Sequence, residues 1–141
     1  MKKISIFFVI IIAILSSIWY LYNSEKISER NRSEYNSYLE NHLNKEISGS
    51  DLATLINKSI NQNEKNDVLK DGNGIYLDNN TNSISIEIKF KDNDNVIKGE
   101  LISKNGTERF VELYGNAQFK LTKLEYHKQT KIVKYAYFEE V

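Results

Sequence analysis

The chain has 141 residues, a formal net charge of zero, and neither cysteine nor proline. Its length allows one small domain, and the missing thiols exclude disulfides, thiolate metal sites, thiol catalysis and lipid attachment through sulfur. Apart from Lys2 and Lys3 at the start, acidic residues slightly outnumber basic ones, so the domain has no long-range attraction for nucleic acid.

The first predicted element is a helix that crosses a membrane. Residues 4–22 contain no charged side chain and would span roughly 28 Å as a helix, close to the thickness of the hydrocarbon core. No small-x-small cleavage site accompanies the run, and Trp19, Tyr20 and Tyr22 lie at its far end, where aromatic rings favour the membrane boundary. Residues 1–22 are therefore predicted to be an uncleaved signal-anchor, with a cytoplasmic N-terminus and the rest of the chain outside the cell membrane. A removed signal peptide is the alternative.

The helix is predicted to continue outward as a stalk over residues 23–46, which contain many helix formers and no glycine. Its apolar stripe consists of Ile27 alone at first and becomes stronger in the last three turns. These last turns are expected to dock on the domain. The docking stripe is Tyr35, Tyr38, Leu39, His42 and Leu43.

Another helix is predicted over residues 51–66. Gly49 interrupts the preceding helix, and either Ser48 or Ser50 can cap the next one. Ser48 and Asp51 also have the spacing of a capping box, with Asp in place of the usual Glu. The apolar residues of this segment recur on one face, which is typical of a surface helix packed on a sheet. They are Leu52, Leu55, Ile56 and Ile60.

After the glycine-rich loop at residues 71–74, the apolar period changes to two and strands are expected. A short strand is predicted at 75–77. Residues 83–91 form the clearest strand, and residues 96–103 form its partner after an acidic turn. The residues on the apolar face of the clearest strand are Ile84, Ile86, Ile88 and Phe90.

The C-terminal part is predicted to contain a short helix and two strands. The helix covers residues 107–114, with Gly115 as its stop, and the strands are 118–126 and 131–139. The last strand has apolar groups on both faces, which indicates a central or doubly covered position. Together the elements predict an α+β fold, in which the stalk leads to a small domain at residues 47–141 with a mainly antiparallel sheet packed by helices.

No pattern in the chain predicts a catalytic, cofactor-binding or metal site. His42 and His127 have no second ligand at metal spacing, so His42 is expected at an interface and His127 in solvent at a turn. The Asp92–Asp94 turn resembles a calcium loop only in its acidic residues. An EF-hand needs glycine and glutamate where this chain has Ile97 and Ser103, so turn chemistry explains the segment better. No enzyme activity and no cofactor are expected.

The C-terminal segment KLEYHKQTKIVKYAYFEE combines aromatic and basic residues, as nucleic-acid surfaces do. Alternation places its tyrosines on a sheet face, and Glu125, Glu139 and Glu140 dilute the positive charge. The tyrosines are therefore expected to pack in the core and between strands, and no nucleic-acid partner is expected.

The order of elements resembles the layout of pilin-like and pseudopilin-like membrane proteins of Gram-positive bacteria. The segment ISGSDLATLINK, residues 47–58, is also similar to the Ile-x-Gly-x-(Asp/Glu)-hydrophobic pattern of small pilus-like membrane proteins. Lys3 before the apolar run and Phe8 within it depart from the type IV prepilin pattern, which has Gly and Glu there, so the resemblance concerns architecture. The residues that match the first pattern are Ile47, Gly49, Asp51, Leu52, Leu55 and Ile56.

Two functions are compatible with this layout. The first is a membrane-anchored extracytoplasmic structural or interaction protein with protein partners, such as a subunit of a pilus-like or secretion-like surface apparatus. The second is an anchored extracytoplasmic binding module for a small ligand or peptide. An apolar cleft with convergent polar groups would favour the binding module, whereas a flat apolar patch or an uncovered sheet edge would favour assembly.

Overall fold

A computed structural model describes residues 2–92 and 94–141, without the side chains of residues 2–5, 7, 27 and 31. The predictions that lie outside the described residues are the middle of the acidic turn at Asn93, Ile27 in the stalk stripe, and the side-chain charges of Lys2 and Lys3.

The first helix, α1, is Lys2–Glu40, so the predicted anchor and its outward extension form one continuous helix. The chain divides into two compact units between Glu34 and Tyr35. The helix ends short of the predicted residue 46 because the chain turns immediately after Glu40, and Asn44 adopts a positive φ of 61°.

The N-terminal part of α1 is long and apolar enough to cross a membrane, as judged by length and composition. Its large apolar side chains between Phe8 and Tyr22 are between 41% and 71% exposed. A signal sequence near an N-terminus can pass the same test of length and composition, so this finding alone does not separate an anchor from a signal peptide.

The last turns of α1 belong to the second compact unit. Tyr38 and Leu39 are buried in its core and Tyr35 packs against that core, so the predicted docking stripe is confirmed for these three residues. Leu43 lies past the end of the helix and is 38% exposed.

The second helix, α2, is Gly49–Lys65, and of the two predicted caps it is Ser48, and not Ser50, that caps it. The Ser48 hydroxyl oxygen accepts a hydrogen bond from the Asp51 backbone N–H at 3.1 Å, and the hydroxyl donates to the Asp51 carboxylate at 2.8 Å. This arrangement satisfies an N–H that the helix itself leaves unpaired and places an acidic group at the positive end of the helix. Of the predicted stripe, Leu52, Leu55 and Ile56 are buried and Ile60 packs beside them.

The described residues contain a five-stranded sheet. Its strands are β1 Glu46–Ser48, β2 Ser85–Lys89, β3 Val96–Lys98, β4 Gln118–Tyr126 and β5 Val133–Glu140, in the order β1-β4-β5-β2-β3. Strands β2 and β5 are parallel, and the other neighbours are antiparallel. The prediction of a mainly antiparallel sheet is therefore wrong, because the sheet is mixed. Turn residues indicate hairpins between consecutive strands, whereas β2 and β5 are far apart in the sequence and no local pattern signals their pairing.

Two predicted strands differ from the structure. Residues 75–77 contribute only an isolated bridge between Tyr76 and Lys70. Residues 96–103 begin as β3 but continue as a short helix, α3, Gly99–Lys104. At Gly99 the backbone passes so close to α2 that an added Cβ would lie 3.3 Å from the Cγ2 of Ile56, so the strand turns into a helix at a position that favours glycine.

The remaining predictions are confirmed with small shifts. The fourth helix, α4, is Thr107–Tyr114 and ends at Gly115. Strand β4 has the predicted bounds, and β5 begins at Val133 rather than residue 131. Strand β5 is central in the sheet, as its apolar pattern indicated.

One apolar core joins the helices to one face of the sheet. The buried stripe of α2 belongs to the same core as the predicted apolar face of β2, so the expected packing of this helix on the sheet is confirmed. The largest fully buried side chains of the core are Phe119, Phe138, Leu39, Leu52, Ile56, Ile86, Ile88 and Leu121.

Two buried asparagines fix the starts of the two parallel strands. The Asn63 amide donates to the Ile84 carbonyl oxygen at 2.7 Å and accepts from the Ile84 N–H at 2.8 Å. Asn36 likewise donates to the Lys131 carbonyl oxygen at 2.9 Å and accepts from the Val133 N–H at 2.8 Å. Each amide satisfies one backbone donor and one acceptor that would otherwise be buried without a partner, and this fixes where each strand enters the sheet.

Candidate functional site

A cavity of about 270 Å³ opens where the segment that follows β2 meets β3, α3 and α4. We call it the aromatic pocket, because Phe90, Phe110 and Tyr114 form its floor. Its size and apolar lining suit one large apolar side chain or a small ligand. The aliphatic side chains that complete its wall are Ile97, Leu101, Ile102 and Leu113.

The floor of the aromatic pocket is a packed cluster of rings. The ring centroids of Phe90 and Tyr114 are 4.7 Å apart, and those of Phe110 and Tyr114 are 5.5 Å apart. Both phenylalanines also contact the ring of Phe119, with centroids at 6.0 Å. Tilted, stacked and edge contacts of this kind hold the rings in place, so the shape of the pocket is pre-formed.

The spacing of residues along α4 explains why two of the three rings of the pocket floor lie together. Phe110 and Tyr114 are one helical turn apart and therefore lie on the same face of α4, where both contact Phe90. Gly106 is the N-cap residue and has a φ of 93°, which a side chain would strain, and this turn brings α4 back beside α3.

The mouth of the aromatic pocket combines exposed apolar groups with charged ones. Leu113 is 68% exposed and Leu101 is 38% exposed. Asp92, Arg109 and Glu140 also line the pocket, so both signs of charge are present around an apolar centre. An apolar cavity with a few convergent polar groups is the usual form of a site that binds a small ligand or a peptide side chain.

The two histidines do not line the aromatic pocket. The Nδ1 atom of His42 lies 2.8 Å from the Tyr38 carbonyl oxygen, one turn earlier in the chain. The prediction that His127 is solvated is wrong, because it is only 2% exposed and its Nε2 lies 2.7 Å from the Ser83 carbonyl oxygen. The segment before β2 folds over this ring, with the Asp78 carboxylate 4.0 Å from Nδ1. His127 therefore helps to hold the start of β2.

The predicted acidic turn contributes to the mouth of the pocket. Asp92 lines the pocket, and the Asp94 carboxylate lies 3.7 Å from the Lys89 ammonium. Within residues 2–92 and 94–141, no group of three or more His, Cys, Asp or Glu side chains is arranged to hold a metal ion.

The C-terminal tyrosines lie on the outer face of the sheet. Tyr135 and Tyr137 are half-buried on β5 and stack with centroids 6.3 Å apart. Their predicted packing on a sheet face is therefore confirmed, whereas the prediction that they belong to the core is wrong. The Tyr135 hydroxyl donates to the Glu87 carboxylate at 2.8 Å. The pKa of Tyr135 is raised well above its usual value, mainly because its phenol group is buried and secondly because of this hydrogen bond to a carboxylate.

The sequence patterns did not identify the aromatic pocket as a site. Periodicity places Phe110 and Tyr114 on a helix and Phe90 on a strand, but no local pattern shows that they meet. The available signal was the apolar content of the short helix over residues 107–114, in which Phe110 is the one buried residue. Leu113 on the same helix is 68% exposed.

Comparisons with known proteins do not assign this geometry to a family. None of the family models, curated proteins or solved structures compared with this chain matches it. The functional conclusion therefore depends on the aromatic pocket and on the apolar part of α1.

Proposed function

We propose that this chain is a single-pass membrane protein whose domain, outside the cell membrane, binds a peptide segment or a small apolar ligand. The aromatic pocket carries the proposal. Its floor is pre-formed by packed rings, and Leu113 is exposed at its mouth although folding would favour burying such a side chain. The charged rim can bind the polar backbone or the charged ends of the same ligand.

A retained anchor is expected from the length of the apolar run and from the absence of a small-x-small cleavage site. The intact mass of the protein purified from membranes should therefore include residues 1–22. A mass that lacks the apolar segment would show that the run is a signal peptide and that the mature domain is not anchored by it.

Leu113→Asp should weaken ligand binding by the aromatic pocket. We expect affinity to fall by at least about tenfold, because a carboxylate would have to lose its water against an apolar ligand. The full chain in detergent micelles can be tested against an array of short peptides. We expect the bound peptides to share a large aliphatic or aromatic side chain.

Leu69→Asp is a matched control for that test. Leu69 is 74% exposed, similar to Leu113, but it does not line the aromatic pocket. Its replacement should change peptide affinity by less than about twofold, the usual result of a surface change away from the site. Equal losses for the two variants, or an array that captures no peptide, would contradict the proposal.

The resemblance to pilin-like proteins supports a second candidate, a structural subunit of a pilus-like or secretion-like apparatus. Such a subunit could pair through an uncovered sheet edge. Among the described strands the edges are β1 and β3, each with three residues, so they offer few unpaired backbone groups. This geometry favours the binding module. Chemical cross-linking in membranes separates the two, because an assembly subunit should give a ladder of multiples of its own mass.

A further inference from the structure

Helix α3 forms one wall of the aromatic pocket and also contains a buried acid. Leu101 and Ile102 of α3 line the pocket together with Phe110 and Leu113 of α4. Glu100 lies in the first turn of α3, does not line the pocket, and is only 8% exposed. One short helix therefore joins the wall of the pocket to a titratable group outside it.

The carboxylate oxygens of Glu100 have no hydrogen-bond donor of normal geometry among the described residues, and both are buried from solvent. A buried carboxylate without donors is costly, and the neutral carboxylic acid is less so. Burial accordingly raises the pKa of Glu100. The N–H groups of Glu100 and Tyr76 and the charge of Lys98 oppose this shift only in part.

The charged groups around α3 do not compensate for the burial of Glu100. The Lys98 ammonium favours its ionised form, but the Glu87 carboxylate disfavours that form. The ammonium groups of Lys70 and Lys104 are engaged with other acceptors. By element, the charged groups are Glu64 on α2, Lys70 on the segment 70–76, Glu87 on β2, Lys98 on β3, Lys104 on α3 itself, and Arg109 on α4 at the aromatic pocket.

Helix α3 depends on packing to stay in place. It has six residues, and its N-cap residue, Lys98, makes no side-chain capping hydrogen bond. A Cβ added at Gly99 would lie 3.3 Å from the Cγ2 of Ile56 and 3.5 Å from the Cβ of Ile86, so the start of the helix lies directly on the core. Because a helix this short is not stable by itself, a charge buried next to this contact should weaken its docking.

We propose that neutral Glu100 keeps α3 docked as a wall of the aromatic pocket, and that ionisation of Glu100 loosens this wall and weakens ligand binding, which rests on the proposed function of the pocket. The direction follows from linkage. Since the folded chain raises the pKa of Glu100, the stabilisation is fully present below the usual pKa of 4.5. It is lost as the pH rises through the higher pKa of the folded chain.

Hydrogen exchange of the α3 backbone amides tests this docking without a ligand. The full chain in detergent micelles is compared with Glu100→Gln at the same pH, so the intrinsic exchange rate cancels. At about pH 7.5 these amides should exchange at least about threefold faster in the parent, the equivalent of half a pKa unit, and the ratio should approach one at about pH 4.5. The control Glu112→Gln removes an exposed charge on α4 and should exchange like the parent at both pH values.

Peptide binding over the same pH range tests the effect on the aromatic pocket. From about pH 7.5 to about pH 4.5, the affinity of the parent should rise at least about threefold relative to that of Glu100→Gln. Equal exchange in the two chains, or the same pH dependence of their peptide affinities, would overturn the role of Glu100 and leave the proposed function intact. The expected exchange difference without any bound peptide would support the docking role of Glu100 and contradict the proposed function instead.

Lys98→Gln decides the question should Glu100→Gln fail to fold. Lys98 does not line the aromatic pocket, and its charge lowers the pKa of Glu100. Without that charge Glu100 should ionise at higher pH, so the loss of α3 protection, measured relative to an unstructured peptide, should also move to higher pH. An unchanged pH dependence of α3 protection in Lys98→Gln would overturn the proposal.

Discussion

Replacement of Ile56 with alanine should lower the free energy of unfolding by about 2–5 kcal/mol, the range for truncation of a large core side chain. Ile56 is 0% exposed, and both it and Ile86 lie against Gly99, where α2, β2 and α3 meet. A small domain has on the order of 5–10 kcal/mol of stability in total, so the variant should be partly unfolded at moderate temperature. Urea unfolding of the full chain in micelles, followed by near-UV circular dichroism, measures the change.

Leu69→Ala is the control for Ile56→Ala, because Leu69 is 74% exposed and its truncation should change stability by less than about 0.5 kcal/mol. The competing hypothesis is that the apolar stripe of α2 is an exposed face for a partner. Under that hypothesis Ile56→Ala would unfold like the parent chain and would lose only partner capture. Such a result would contradict the assignment of α2 to the core.

Replacement of Gly49 with alanine should cost about 3 kcal/mol, at the upper end of the usual range for overpacking. Gly49 begins α2, and an added Cβ would lie 1.9 Å from the Tyr114 carbonyl oxygen and 2.7 Å from its carbonyl carbon. Both are backbone atoms at the end of α4, so the overlap can be relieved only by moving one helix away from the other. The Gly49 N–H also donates to the Ala117 carbonyl oxygen at 2.9 Å, which holds the segment in place.

Alanine has the better helix propensity, by up to about 1 kcal/mol, so propensity alone would predict that Gly49→Ala stabilises the chain. The control Gly72→Ala tests the general effect of adding a methyl group, because no atom lies within 4 Å of a Cβ built at Gly72. That variant should be neutral or slightly stabilising in the same urea unfolding experiment. Equal unfolding midpoints for the two variants would show that α2 and α4 are not packed as closely as the structure indicates.

Strong local periodicity made several elements predictable. The stripe of α2 and the Ser48 cap marked this helix and its beginning, and the alternation before residue 126 gave the bounds of β4. Gly49 is predicted to break the first helix, but that helix already ends at Glu40 and Gly49 is the first residue of α2. It was interpreted as a poor helix former, whereas its lack of a side chain is what allows the contact with Tyr114.

Features that depend on contacts between distant residues could not be predicted. The segment 96–103 alternates like a strand, yet it becomes α3 at Gly99 because of packing against α2. The buried partners of Asn36 and Asn63 lie far away in the sequence, so these asparagines could not be distinguished from the many in turns. The aromatic pocket has the same origin, since the contact between Phe90 and α4 exists only in the folded chain.

Photo-cross-linking in the membranes of the cells that make this protein tests the central claim most directly. A photo-reactive benzoylphenylalanine in place of Leu113, at the mouth of the aromatic pocket, should yield a discrete adduct with a bound molecule. The same group in place of Leu69, which is equally exposed but lies outside the pocket, should not yield that adduct. No adduct from the first position, or the same adducts from both, would contradict the assignment of the aromatic pocket as a binding site.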